Sequence, residues 1–232
     1  MRKNYYQMTT ADRTADIYIF GDITSWEWLE SDVSSYTLAR QLQDLNDVDK
    51  INVFINSYGG EVAEATAIHN QLKAHPAKVT TVCDGFACSA ASVIFMAGDE
   101  RLMNKASRLM IHPASKGAYG TASQLRKAAD DLESITDLSV VCYMDKVNIP
   151  EERLRELMEA ETWIRPEEAV EMAFATGIRD EAEGDNPTQS ARMAVMMALD
   201  KLGGNQPPAE PKKPEKKKPE NKILKLFERS NA

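Results

Sequence analysis

A strand, a helix and a second strand follow one another in the first half of the chain, and this succession restricts the possible folds. Residues 51–55 (INVFI) and 79–83 (VTTVC) are short apolar runs rich in β-branched residues, which is typical of strands buried on both faces. Between them, after a Gly-Gly pair, apolar residues recur at helical spacing at Val62, Ala65, Ile68 and Leu72. This order indicates a βαβ crossover and therefore a parallel sheet in an α/β domain.

The segments on either side extend the same pattern. Residues 17–20 (IYIF) predict another buried strand, and residues 32–46 predict a helix between it and the next strand. A long apolar stripe predicts a helix over residues 121–146. Shorter helices are expected at 150–158 and 166–174, so helices and strands alternate along most of the chain.

Composition divides the chain into a body and a tail. A length of 232 residues suits one α/β domain with an appendage, which we place at residues 1–184. A helical extension is predicted at 185–202. Residues 203–232 are rich in Pro, Lys and Glu and cannot bury enough apolar surface to offset their ordering entropy, so we expect a flexible tail. The tail ends in an amphipathic stretch at 222–229, either a motif that docks a partner or a frayed end.

The charge distribution argues against nucleic acid as a partner of the body. The chain has 28 Lys and Arg against 36 Asp and Glu, and residues 209–232 alone carry eight basic against four acidic side chains. The body is therefore acidic, whereas phosphate contacts need a basic face. No run of about eighteen apolar residues and no apolar leader is present, so we expect a cytoplasmic protein without a membrane segment.

The three cysteines, Cys83, Cys88 and Cys142, are an odd number without metal-like spacing. We interpret them as free thiols, two of them in apolar settings where a small core residue fits. No metal ion and no cofactor is expected.

Ser89 is the first residue with a chemical interpretation. It lies in a run of small residues (85–92), after a predicted strand and at the start of a predicted helix. Such a turn exposes a hydroxyl group and points backbone N–H groups toward it. Gly59 and Gly60 could add a further backbone amide to an oxyanion hole, because glycine adopts turns that aim an N–H inward. The alternatives are a closely packed helix of small residues and a simple tight turn.

A serine hydroxyl needs a base beside it to act as a nucleophile near neutral pH, and the chain has three histidines. His69 falls on the polar side of a predicted helix and His75 at the end of that helix, so both are interpreted as surface residues. His112 ends an apolar strand and is followed by Pro113, which leaves its ring at the edge of the sheet. Open α/β sheets place their active sites at such strand ends, so His112 is the candidate base.

Four motifs in order resemble the ClpP peptidase family. Residues 56–60 (NSYGG) are similar to that family's Asn-Ser-Pro-Gly-Gly, and residues 85–89 (GFACS) match its Gly-x-Ala-x-Ser. Residues 110–112 match Met-Ile-His, and residues 166–171 resemble the helix that closes the family's domain. The resemblance covers roughly residues 15–180. It implies an α/β, ClpP/crotonase-like fold of repeated β-β-α units with a long handle helix.

The resemblance also implies roles for single residues. Ser89 would attack the scissile carbonyl, His112 would move its proton, and the amides of Gly59 and Ala90 would hold the oxyanion. An extended peptide substrate would be added as a strand, through its backbone. The residues implied for this are Gly60, Ser115, Lys116, Gly117, Ala118, Tyr119 and Gly120. The helix from Thr121 resembles the handle through which two rings of subunits stack, so a homo-oligomeric ring is implied.

The chain also departs from the family pattern. Where the family has the aspartate of its triad, this sequence has Glu161, two residues before Trp163. A glutamate can orient an imidazole, but its longer side chain changes the geometry, so Asp145 and Asp180 remain alternatives. Tyr58 replaces the usual proline and is expected to reshape the cleft.

The resemblance implies a serine endopeptidase acting on a protein or peptide substrate. A Clp-type peptidase with an extension after about residue 184 resembles the head-maturation proteases of tailed bacteriophages, which process capsid or scaffold proteins. One alternative is a housekeeping peptidase fed by an ATP-driven unfoldase. The chain has no nucleotide-binding motif, so in that case the partner would supply the energy. Two others are a crotonase-like acyl-CoA enzyme and an assembly scaffold with a decayed site.

Overall fold

The computed structural model describes residues 6–9, 13–29, 31–45 and 47–179. The helical extension predicted at 185–202, the tail predicted at 203–232 and Asp180 lie outside the described residues. In the part of the chain that is described, no helix is long and apolar enough to cross a membrane.

One mixed sheet organises the described residues, with mostly parallel pairing. Its strands are β1 (Tyr6–Thr9), β2 (Thr14–Ile19), β3 (Lys50–Ser57), β4 (Lys78–Cys88), β5 (Glu100–Asn104), β6 (Arg108–Ile111), β7 (Thr162–Ile164) and β8 (Gly177–Arg179). The main path runs β1-β2-β3-β4-β5-β8, and β6 pairs with β4 and with β7. Only the β1–β2 and β6–β7 pairs are antiparallel. The parallel sheet expected from the sequence is therefore confirmed.

The helices fall where the sequence predicts them, with bounds that differ by a few residues, and α3 is the helix expected after Ser89. They are α1 (Ser35–Gln43), α2 (Val62–Ala74), α3 (Ala90–Phe95), α4 (Ala122–Met144), α5 (Glu151–Glu159) and α6 (Pro166–Glu171). The long helix α4 begins at a capping box, in which the Thr121 side chain accepts from the Gln124 N–H and the Gln124 side chain accepts from the Thr121 N–H. Such reciprocal capping fixes the first turn of a helix.

The predicted βαβ crossover is formed by β3, α2 and β4. The two strands pair in parallel, with Ile51 opposite Val79. From α2, the side chains of Ile68 and Leu72 are fully buried in the core. Burial of each such side chain is worth about 1.5–3 kcal/mol, which holds the helix against the sheet.

His69 is buried, with 5% of its surface exposed, so its interpretation as a surface residue is wrong. The polar side of α2 is covered by α4, which brings Cys142 Sγ to 3.9 Å from His69 Nδ1. Desolvation lowers the pKa of His69, which keeps the ring neutral near pH 7. His75 remains partly exposed, as expected. The three cysteines are buried and free, which confirms the prediction of free thiols.

Arg101 is a buried charge that joins the end of the described chain to the sheet. Its guanidinium donates to the carbonyls of Phe174 (2.8 Å), Gly98 (3.1 Å) and Ala173 (3.2 Å). Only 5% of the residue is exposed. A buried cation is tolerated when carbonyl oxygens satisfy its donors. Arg101, in β5, therefore holds the segment after α6 against the sheet.

We expect Arg101→Met to lower the free energy of unfolding by about 3 kcal/mol, because two buried carbonyls and one half-buried carbonyl lose their donor. Urea denaturation measures this loss. The matched control is Arg153→Met, which removes an exposed ion pair with Glu156 and should change stability by about 0.5 kcal/mol or less. Equal losses in the two variants would contradict the anchoring role of Arg101.

Candidate active site

Ser89 is the single residue between the end of β4 at Cys88 and the start of α3 at Ala90. Its backbone has φ 53° and ψ −125°, a conformation that non-glycine residues rarely adopt. Strain of this kind costs about 1–3 kcal/mol and persists only where the surroundings hold it. The structure thus contains the strand-to-helix turn expected from the sequence.

His112 follows β6 directly, and its Nε2 lies 2.7 Å from Ser89 Oγ. The parallel pairing of β4 with β6 sets Cys88 opposite Met110, and the Ser89 N–H donates to the Met110 carbonyl at 2.8 Å. The residues just past the two strand ends are therefore neighbours. A hydroxyl in hydrogen-bond contact with an imidazole nitrogen is the geometry through which a serine loses its proton.

The thiol beside Ser89 is not a competing nucleophile. Cys88 is fully buried, and this burial raises the pKa of its thiol to about 11. Burial likewise raises the pKa of Cys83 to about 12. Because the thiolate is the reactive form, both cysteines are inert near neutral pH, and Cys88 packs in the core as expected.

The Gly59-Gly60 turn packs directly against the serine. A Cβ on Gly59 would lie 2.6 Å from the Cys88 carbonyl oxygen and 2.9 Å from Ser89 Cβ. The φ angles are 105° at Gly59 and 148° at Gly60, a region that L side chains avoid. Only glycine at Gly59 lets the turn approach the site this closely.

The Gly59 N–H, which was predicted to supply an oxyanion amide, already donates to Ser57 Oγ at 3.0 Å in the structure. The residues on both sides of Gly60 bind Ile23 instead: Ile23 N–H donates to the Gly59 carbonyl at 3.0 Å, and Glu61 N–H donates to the Ile23 carbonyl at 2.8 Å. The Gly60 N–H forms no hydrogen bond with any described residue. Of the two glycines, Gly60 is therefore the one with an available donor.

Ser57 is a site residue that the sequence analysis missed. Its hydroxyl donates to the Gly21 carbonyl at 2.7 Å and accepts the Gly59 N–H. The residue is 3% exposed at the end of β3. A serine at an inward-facing position of an apolar strand was the available signal, because buried hydroxyls require partners.

A cleft of about 680 Å³ contains Ser89 and His112. Its apolar wall is formed by Val62, Ala63, Leu132, Ile135 and Leu138. This volume and lining suit side chains of a bound ligand. A second depression of about 820 Å³ over α5 has neither serine nor histidine in its lining.

Tyr58 and two acidic residues occupy one end of the cleft. The Tyr58 ring is 70% exposed and packs against Phe86, with the ring centroids 5.5 Å apart. Asp22 and Glu61 line the same cleft. Desolvation raises the pKa of Glu61, but hydrogen bonds from Ser25 and Thr24 outweigh this effect and lower the pKa overall. Tyr58 therefore forms part of the cleft rim, where the family pattern has proline.

The segment implied for substrate binding lies beside the cleft but is not a strand. Gly60, Ser115 and Lys116 line the cleft, whereas Gly117, Ala118, Tyr119 and Gly120 do not. Residues 115–119 are exposed and irregular, so the expected strand is absent from the structure. The physical reason is that no strand among the described residues lies beside the segment to pair with it.

Two acids proposed for the triad have different positions. The carboxylate of Asp145 pairs with Lys73 and Lys146, close to His69, which excludes it as the partner of His112. Glu161 is exposed and has φ 48°. No described residue donates to or accepts from Nδ1 of His112. Of the three acids considered from the sequence, Glu161 is therefore the remaining candidate among the described residues.

The pairing of β6 with β7 brings Glu161 toward the base. Ile111 lies opposite Thr162 in this antiparallel pair. Continuing the register by one residue sets Glu161 opposite His112. Glu161 and His112 therefore both adjoin this strand pair, but no hydrogen bond joins the carboxylate to the imidazole, and the glutamate has left the strand with φ 48°.

The chain matches the Clp protease family over residues 6–182. It is 32% identical over 157 residues to the ATP-dependent Clp protease proteolytic subunit of Deinococcus radiodurans, which is 66% of this chain and 77% of the relative. It is 33% identical over 168 residues to proteolytic subunit 1 of Prochlorococcus marinus, which is 71% and 84% of the two chains. A third relative, proteolytic subunit 3 of Rhizobium meliloti, is 28% identical over 159 residues, 68% of this chain and 79% of its own. With a serine and a histidine in contact at adjacent strand ends and this match over most of its length, the chain belongs to the Clp protease family of serine-type peptidases.

Proposed function

We propose that the protein is a serine endopeptidase in which Ser89 is the nucleophile and His112 the general base. The observation that carries this proposal is the 2.7 Å contact between Ser89 Oγ and His112 Nε2. Ser89 Oγ attacks the carbonyl carbon while Nε2 takes its proton, and the same nitrogen then protonates the leaving amine. A water molecule, deprotonated by His112, releases the acyl group.

The oxyanion is held by the amides of Gly60 and Ala90 in this proposal. Ala90 is the first residue of α3, and Gly60 lies across the cleft with an available N–H. One such donor typically contributes about 10² to 10³ in kcat. Gly60 takes the place that the sequence analysis gave to Gly59.

Glu161 is proposed to orient His112 through Nδ1. The β6–β7 pairing supports this, since its last pair is Ile111 with Thr162, and His112 and Glu161 are the residues that directly adjoin that pair. A carboxylate at Nδ1 stabilises the imidazolium that forms when Ser89 is deprotonated.

The proposed substrate is a protein or peptide that binds as an added strand along residues 115–120. The exposed, unpaired backbone of this segment beside the cleft supports the proposal. Backbone pairing gives affinity, while the apolar wall formed with α4 accepts a substrate side chain.

A homo-oligomeric ring is proposed as the working form. Helix α4 leaves Leu125 and Val141 exposed by 43% and 68%. Apolar side chains of this size on one long helix suit contact with a second copy. We place this assembly in the cytoplasm of a bacterium, or of the host cell if the protein is encoded by a phage.

The narrower role that we propose is processing of capsid or scaffold proteins during phage assembly. The support is that the family match ends at residue 182, that Glu161 and Tyr58 depart from the family pattern, and that the remaining tail is basic. The tail is proposed to dock a partner.

The second candidate is a peptidase that works with an ATP-driven unfoldase, favoured by the names of the relatives. The family match decides against an acyl-CoA enzyme.

Labelling with a fluorophosphonate probe tests the proposed reaction. Ser89→Ala should abolish labelling, and His112→Ala should slow it by about 10³-fold or more, because the hydroxyl then lacks its base. Intact mass of the labelled protein is the measurement. Cys88→Ala is the matched control and should label like the wild type, since its buried thiol is protonated. Loss of labelling in Cys88→Ala alone would move the nucleophile to the cysteine.

Replacement of Glu161 tests the third member of the triad. Glu161→Gln should lower kcat/KM for a peptide substrate by about a hundredfold, because the imidazolium loses its counter-charge, whereas Glu161→Asp should retain more activity. Steady-state hydrolysis measures both. Glu159→Gln, an exposed change at the end of α5, is the control. If Glu161→Gln hydrolyses as fast as this control, a different acid serves His112.

The two biological roles differ in their requirement for ATP. A maturation protease should cut a co-expressed capsid or scaffold protein into a few large fragments without ATP. An unfoldase-coupled peptidase should instead degrade a folded substrate to short peptides, and only when the unfoldase and ATP are present. Mass spectrometry of the fragments distinguishes the two, and degradation that depends on ATP would contradict the maturation role.

A further inference from the structure

Two buried hydroxyl groups form a hydrogen-bonded chain that ends on Ser89. Ser92 Oγ lies 2.5 Å from the Ser89 carbonyl oxygen, and the Tyr143 hydroxyl lies 2.7 Å from Ser92 Oγ. A carbonyl oxygen has no proton to give, so Ser92 donates to it. The single proton of Ser92 is then used, and Tyr143 must donate to Ser92.

The chain is closed to water at both hydroxyls. Ser92 and Tyr143 are each 1% exposed. Burial raises the pKa of Tyr143, so its hydroxyl keeps its proton throughout the pH range in which a peptidase works. The ring packs edge-on against Phe174, with the centroids 5.8 Å apart, which fixes the direction of the hydroxyl.

Both peptide groups of Ser89 are held by this arrangement. On one side its N–H donates to the Met110 carbonyl of β6, and on the other side its carbonyl accepts from both the N–H and the hydroxyl of Ser92. The residue needs such restraint because its backbone adopts φ 53°. With both peptide groups fixed, Ser89 Oγ is aimed at His112.

We infer that Tyr143 and Ser92 are positioning residues for the nucleophile, through which α4 fixes the backbone of Ser89. This inference rests on the proposed function of Ser89. Neither residue touches the cleft, so they act through the Ser89 carbonyl rather than on the substrate. The strained turn is thus held by Tyr143, which lies more than fifty positions further along the chain.

The test removes one hydroxyl at a time. Tyr143→Phe keeps the ring packed on Phe174, and Ser92→Ala removes the group that touches Ser89. Each should slow fluorophosphonate labelling of Ser89 by about tenfold, the effect of losing one buried hydrogen bond that restrains a reacting group. The double variant should label no more slowly than Ser92→Ala, because the tyrosine acts only through the serine.

A matched control separates positioning from general stability. Thr81 is fully buried and donates to the Phe95 carbonyl at 2.7 Å, at the opposite end of the same helix α3. Thr81→Val should lower the thermal unfolding midpoint as Tyr143→Phe does, yet label at the wild-type rate. If Thr81→Val slows labelling as much as Tyr143→Phe, the inference is overturned.

Amide exchange gives a readout that needs no reaction. Exchange at the N–H groups of Ser89 and Ser92, followed by mass spectrometry with fragmentation, should be faster in Tyr143→Phe than in Thr81→Val. If wild type is labelled but Tyr143→Phe labels equally fast, the inference fails and the proposed function stands. If wild type is not labelled but exchange is faster in Tyr143→Phe, the restraint stands and the proposed function fails. Unchanged exchange with unchanged labelling would overturn the inference.

Discussion

The pairing of β4 with β6 is the constraint on which the site depends. β4 first runs beside β5 and then, over its last residues, beside β6, with Cys88 opposite Met110. The residues after the two strands are consequently brought together without any loop to position them. This pairing sets Ser89 Oγ 2.7 Å from His112 Nε2 although 23 positions separate them in sequence. Because sheet register changes only in whole residues, it positions the two side chains more reproducibly than a flexible connection would.

The same turn combines strain with close packing. Ser89 has a positive φ, and Gly59 approaches it so closely that any side chain there would clash. The cost of the strained backbone is offset by hydrogen bonds to both of its peptide groups and by the packing of small residues around it. The Ser57 hydroxyl also holds the glycine turn, because it accepts the Gly59 N–H and donates to the Gly21 carbonyl. The site is thus built mainly from backbone contacts, which explains why small residues dominate its sequence.

Local sequence patterns predicted the helices and strands well, whereas they did not predict contacts between distant segments. The βαβ unit followed from periodicity, and motifs in order identified Ser89 and His112 as candidates, because both signals lie in neighbouring residues. The oxyanion amide was assigned to Gly59 because sequence does not show that the Ser57 hydroxyl occupies its N–H. His69 was placed at the surface because its burial depends on a helix about 70 positions further along the chain. Pairing of residues 115–120 likewise depends on a strand that the described chain does not supply.

Helix α4 contributes to the cleft, to the support of the nucleophile and to the exposed surface. Its middle turns form the apolar wall of the cleft through Leu132 and Ile135, and its last turn carries Tyr143 to Ser92. In its first turn the side chain of Leu125 is exposed. The helix has 23 residues and a length of about 34 Å, so these contacts lie along one continuous element. The cleft wall and the support of the nucleophile therefore belong to one helix, so any change in the position of α4 would alter substrate fit and nucleophile alignment together.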